Sequence, residues 1–81
     1  MAILRMPEVK VETGHRSHAS IYGAITRGLF TKPVRIGSRS VGWPSNEVQA
    51  IIAARIAGKT DAEIMCLVEK LHAARLPLEF I

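Results

Sequence analysis

The sequence predicts a small, mainly α-helical domain carrying one short β-hairpin, and three observations lead there. Apolar residues recur at helical spacing along most of the chain. A single stretch, residues 34–43, alternates with a period of two instead. Glycine, proline and capping residues fall at the joints between these stretches. With 81 residues, a chain buries only about 60–65% of the surface it exposes when unfolded, enough for one modest core. That excludes a large two-domain enzyme with a deep cleft. A hydrophobic share of 48% with 22% charged residues describes a folded chain rather than a disordered one. The lone cysteine excludes an internal disulfide framework. No apolar run approaches the roughly 20 residues of a membrane helix. The opening MAILRMPEVK carries Glu8 and lacks the long apolar core of a signal peptide. The expectation is a soluble, intracellular domain.

The elements follow in order. Pro7 suits the first turn of a helix, which runs to about Thr13 and ends at Gly14. Val9 and Thr13 share its inner face, with Met6 near by. Ser17 can cap a second helix by accepting from a free N–H near Ser20. Ile21, Ala24 and Ile25 form its inward stripe, and Gly28 ends it. Two short helices so tightly joined form a helix-turn-helix. Val34 and Ile36, then Val41 and Trp43, alternate as half-buried strands. Gly37-Ser38 fits a two-residue turn between them. In that register Val34 faces Val41, Arg35 and Ser40 share the opposite face, and Arg39 stands at the tip. A basic hairpin directly after a helix-turn-helix makes a winged helix-turn-helix.

Pro44-Ser45-Asn46 breaks the strand and offers a cap to a third helix. Val48, Ile51, Ile52, Arg55 and Ile56 trace its continuous stripe, and Gly58 ends it. Thr60 and Glu63 then have the spacing of a capping box. They open a last helix with Ile64, Leu67, Val68 and Leu71 on one face, reaching about Arg75. Residues 1–58 form the winged helix-turn-helix unit of this scheme and residues 59–81 a helical extension. The extension either folds back on the third helix or pairs with a second copy. Met65, Leu76, Leu78 and Phe80 add apolar surface beyond the stripe, which favours a homodimer.

Net charge is +4, but its distribution says more. No Asp or Glu lies between Thr13 and Asn46, a window that holds Arg16, Arg27, Lys32, Arg35 and Arg39 with His15 and His18. The acids are Glu8, Glu12, Glu47, Asp61, Glu63, Glu69 and Glu79. Such segregation points to a polyanion-binding face. The bland alternative is a solvated basic surface, which small domains often carry.

These residues resemble the AlpA family of phage and prophage regulators, close to the excisionase and MerR-type winged helix-turn-helix proteins. The matching pieces are LRMPEV at 4–9, ETG at 12–14, SIY at 20–22, RGLFTKPVRIGSRSVGW at 27–43 and EVQAIIAARIAGKT at 47–60. The resemblance implies sequence-specific binding of double-stranded DNA, in transcriptional regulation or in excision of an integrated element. It also implies a cytoplasmic, nucleoid-associated protein of bacterial or phage origin. Three departures stand out. His15-Arg16 makes the turn one residue longer than the family's, and His18 and Gly23 stand where the family's second helix carries arginine. Both substitutions shift weight from the helix to the wing.

On this reading residues 17–27 form the recognition helix, entering the major groove by its N-terminal turn. Ser17, His18 and Ser20 can bond phosphates or base edges. The Tyr22 hydroxyl can reach a phosphate, although Tyr22 also suits the core. Arg16, Arg27, Lys32 and Arg35 position the domain on the backbone. Arg39 is the candidate for minor-groove insertion. Trp43 lies inward by the alternation and belongs to the core.

Other chemistries find little support. His15, His18, His72 and Cys66 lack the spacing of a zinc site, and Cys66 reads as a small buried or half-buried hydrophobe. Gly37 and Gly42 do not make a phosphate-binding loop, and no catalytic motif is present. No enzyme activity, cofactor, small-molecule substrate or membrane association is expected. RNA binding would call for an exposed aromatic platform on a sheet, which the pattern does not offer. The competing class is a protein-interaction adaptor that keeps the helix-turn-helix as scaffold and works through the C-terminal helix.

Overall fold

A computed structural model of the chain describes residues 2–75. Its elements are β1 (Ile3–Leu4), α1 (Met6–Thr13), α2 (His18–Thr26), β2 (Val34–Arg35), β3 (Val41–Pro44), α3 (Ser45–Ile56) and α4 (Asp61–Ala73). The fold is thus mainly helical with a small antiparallel sheet, compatible with a winged helix-turn-helix. Among the described residues, no helix is long and apolar enough to cross a membrane.

α1 starts one residue before Pro7, and its Glu8 carboxylate accepts the Arg5 N–H at 3.3 Å. It stops where Gly14 takes a left-handed φ of 78° that a side chain would strain. α2 opens as the sequence foretells, with the Ser17 hydroxyl accepting the Ser20 N–H at 3.1 Å. Val9, Ile21, Trp43, Val48 and Ile64 have no exposed surface, so every helix contributes to one core around the tryptophan. The indole N–H of Trp43 donates to the Thr31 carbonyl at 2.9 Å, satisfying the ring's polar edge inside that core.

The hairpin differs from the expected register by one residue. Val34 pairs with Gly42 and Arg35 with Val41, and the Ile36 N–H donates to the Ser40 carbonyl at 3.0 Å. The loop therefore holds Gly37, Ser38 and Arg39, not two residues. A two-residue turn opening on glycine needs a positive φ at that glycine, and Gly37 does not adopt one. Arg39 keeps its place in the loop, but Val34 no longer faces Val41, and Arg35 is paired with Val41 instead of Ser40.

The hairpin's second strand also pairs with β1, which the alternation did not reveal, giving the order β1-β3-β2. Gly42 permits that approach: a Cβ there would lie 2.4 Å from the Ile3 methyl Cγ2. Ala2 fastens the strand to α3, its N–H donating to Ser45 Oγ at 2.9 Å and its carbonyl accepting the Ser45 N–H at 2.7 Å. Ser45 thus ties down the N-terminal segment, while Pro44 occupies the cap position of α3 without a side-chain bond.

Two stripe assignments change. In α3, Val48 and Ile51 are buried, but Ile56 is 82% exposed and Arg55 turns out to Asp61 at 3.1 Å. The apolar stripe stops at Ile52 because the last turn heads for the Gly58 reversal instead of running on under the core. Cys66 is exposed, not buried: it lies midway between Ile64 and Val68 along α4, which turns it to the opposite face of the helix. α4 itself folds back on α3, with Ile64 and Val68 buried and Leu67 and Leu71 packed against them. The stripe that either fold-back or a second copy had to cover is covered within the chain. Met65 remains exposed, and Leu76, Leu78 and Phe80 lie outside the described residues.

Candidate nucleic-acid interface

The turn between α1 and α2 is closed by its own side chains. After Gly14, the His15 ring nitrogen Nδ1 bonds the Ser20 hydroxyl, tying the turn to the first turn of α2. Ser17 caps the helix, so both serines proposed to face a ligand already have internal partners. A hydroxyl that accepts one bond still has a proton to donate outward. Arg16 and His18 flank them, both exposed. The first turn of α2 carries no acid, so its free N–H groups present partial positive charge to solvent.

Further along α2, Tyr22 is 42% exposed and sets its ring edge-on to Trp43, with centroids 6.4 Å apart. The helix and the hairpin's inner strand thus meet through one aromatic pair. Gly23 follows, and a Cβ there would meet nothing within 4 Å, so α2 has open space at that position. Arg27 caps the C-terminus and lays its Nε 3.4 Å from the Gly23 carbonyl.

Lys32 stands at the base of the hairpin. Its side chain is exposed, while its backbone is held on both sides by α4. The Lys32 N–H donates to His72 Nε2 at 3.0 Å, and its carbonyl accepts from Arg75 Nη2 at 2.7 Å. Arg75 also donates to both carboxylate oxygens of Glu47, through Nε at 2.7 Å and through Nη2. Glu47 is 3% exposed, a buried acid whose charge this guanidinium neutralises. Burial holds the His72 imidazole below its ordinary pKa. The Arg75 charge adds to that depression, Glu47 opposes it, and Lys32 adds slightly to it.

The sequence reading missed this cluster. An available signal was the acid itself: Glu47 lies four residues before the buried Ile51, on the inward face of α3. A charge there needs a partner, and Arg75 lies four residues beyond Leu71, just past the end of α4.

Arg16, Ser17, His18, Ser20, Tyr22, Arg27, Lys32, Arg35 and Arg39 are all exposed. Among the described residues, the ion pairs are Arg55–Asp61, Lys59–Glu63 and Arg75–Glu47, so none engages a basic residue of the acid-free window. No cluster of metal-ligating side chains occurs among the described residues.

The sequence model of a family described as "Prophage CP4-57 regulatory protein (AlpA)" matches residues 2–56, from β1 through the end of α3. Over 56 residues the chain is 43% identical to an uncharacterised protein, ORF88, of Enterobacteria phage P4. That alignment takes in 69% of this chain and 62% of the phage protein's own length. No solved structure matches the chain significantly. α4 lies beyond the family match.

Proposed function

The chain belongs to the AlpA family of prophage regulatory proteins, and on that premise we propose that it binds double-stranded DNA, with α2 in the major groove and the basic hairpin in the adjacent groove. One observation carries the proposal. The residues assigned to DNA from the sequence are all exposed, and their cations have no internal acid to neutralise them among the described residues. Unpaired arginine and lysine on the hairpin and at both ends of α2, with the free N–H groups of its first turn, are complementary to phosphates. Ser17, Ser20 and His18 supply the polar contacts of the first helical turn, and Tyr22 can offer its hydroxyl to the backbone. Arg16, Arg27, Lys32 and Arg35 serve as phosphate contacts, and Arg39 in the hairpin loop reads the narrow groove.

The adaptor reading loses its main support. The apolar stripe of α4 that would have served a partner is used inside the domain, where Ile64 is wholly buried. Among the described residues, a two-fold dimer through α4 would be left with Met65 and the outer edges of Leu67 and Leu71.

The test is fluorescence anisotropy on random duplex and on DNA flanking the gene, over a salt series. Log affinity should fall linearly with log salt, with a slope of about −0.9 per phosphate neutralised and about four to six contacts in all. Arg39→Ala should weaken binding. A flat or absent response to every duplex would remove the proposal. Cooperative occupancy of adjacent sites with DNA bending would identify an excisionase-like architectural role, and one operator near a promoter a transcriptional one.

A further inference from the structure

We infer that His72 and Arg75, at the C-terminal end of α4, are positioning residues for the basic hairpin: by gripping the Lys32 backbone they fix where Arg35 and Arg39 stand. The inference rests on the DNA-binding reading above, and it assigns a role to a helix outside the family match.

The grip is complete at one peptide position. Lys32 donates its N–H to His72 and gives its carbonyl to Arg75, so both polar groups of that residue are fixed by α4. Just before it, the Thr31 carbonyl is held by the Trp43 indole in β3. Just after it, Pro33 has a φ fixed by its ring. The orientation set at Lys32 therefore passes with little slack into Val34 and Arg35, the start of the hairpin. Beyond Val34 the hairpin is held by its own short ladder, and β1 pairs with its base, at Trp43 and Pro44.

The chemistry of the grip is specific to its residues. Arg75 serves both oxygens of Glu47 and the Lys32 carbonyl at once, which takes the planar fork of a guanidinium. Lysine also carries three donors, but on a single tetrahedral nitrogen, without the fork that spans both carboxylate oxygens. His72 must be neutral, since the Lys32 N–H needs an acceptor at Nε2. A buried ion pair at this place adds little net stability over an apolar one. It does define a single arrangement of α3, α4 and the segment that leads into the hairpin.

The experiment uses the full chain and two readouts. The first is amide hydrogen exchange at Ile36, whose N–H closes the hairpin on Ser40, with Val9 in α1 as reference. His72→Ala should speed exchange at Ile36 about threefold to tenfold and leave Val9 unchanged, and His72→Gln, whose amide oxygen can accept the same bond, should restore it. The second readout is DNA affinity in a double-mutant cycle with Arg39→Ala. His72→Ala and Arg75→Ala should each lower affinity about threefold to tenfold, Arg75→Lys less, and Arg39→Ala should cost less in either background than in the wild type. Where Arg75→Ala does not fold, because Glu47 is left buried and unpaired, the His72 variants leave that pair intact and decide the question. Unchanged exchange at Ile36, or an Arg39→Ala cost equal in all backgrounds, overturns the inference while the DNA reading stands. If the wild type binds no duplex, the DNA reading falls, and the exchange data alone decide whether α4 holds the hairpin.

Discussion

Tyr22 of α2 and Trp43 of β3 meet edge to face, with ring centroids 6.4 Å apart and planes inclined by 62°. The contact joins the two parts of the surface that would have to act together on DNA. Trp43 is fully buried and itself anchored on Thr31, so the tyrosine ring rests on a side chain fixed by the core. Its hydroxyl end remains free to face outward.

Tyr22→Phe should accordingly keep the ring contact and change stability by less than about 0.5 kcal/mol. Tyr22→Ala should cost about 1–2 kcal/mol, reflecting lost aromatic packing and buried area. If the hydroxyl meets a phosphate, Tyr22→Phe also weakens DNA binding in equal measure on all sequences. Chemical denaturation and anisotropy on the same samples separate the two effects.

Much of this arrangement was legible in the sequence, for a physical reason in each case. Ser17, Gly14, Thr60 and Glu63 act within a few residues of themselves, so their caps could be read locally. Trp43 fell inward because alternation fixes the face of a strand. The hairpin register slipped because Gly37 allows a two-residue turn without requiring one, and the pairing with β1 was decided 39 residues away, between Leu4 and Trp43. Glu47, His72 and Arg75 were missed because their partners lie 28 to 43 residues apart, beyond any local pattern. The exposure of the basic candidates follows from their charge. Which of them touch DNA depends on a partner that the sequence does not contain.

Gly23 offers a direct way to strengthen the proposed interface. It lies in the middle of α2, where glycine is less favourable than alanine by about 0.8–1 kcal/mol, and a Cβ meets nothing within 4 Å. Gly23→Ala should therefore raise stability by about 0.5–1 kcal/mol with little change in DNA affinity. Gly23→Arg should match most of that gain. It should also tighten binding about threefold to tenfold at low salt and steepen the salt dependence by about one phosphate. Equal affinities for the Ala and Arg variants would place this face of α2 away from DNA.

His72 gives stability a pH dependence of definite sign. Its pKa is lowered in the folded state, chiefly by burial, so between the folded and unfolded values the unfolded chain binds more protons. Stability from this group is full above the unfolded value of about 6.5 and declines as pH falls below it, levelling off beneath the folded pKa. His72→Gln should remove that share of the decline. What remains belongs at lower pH, where Glu63, held below its ordinary value by the Thr60 backbone N–H and hydroxyl, loses its charge. Urea melts of both proteins across this range provide the comparison.

Arg39 is the residue on which groove reading and simple charge can be told apart. It occupies a three-residue loop, exposed and without an ion pair among the described residues. A loop cation that only neutralises phosphate is replaceable by lysine, because the salt-dependent term counts charges. A cation inserted into a narrow A·T groove is not, because arginine sheds its weaker hydration more readily and presents a planar fork. Arg39→Lys should therefore leave affinity for random duplex within about a factor of two and keep the salt slope. Preference for A·T-flanked sites should fall about fivefold to tenfold. The measurement is competition between A·T-rich and G·C-rich duplexes at fixed salt. An unchanged preference would leave Arg39 a phosphate contact and return sequence discrimination to the first turn of α2.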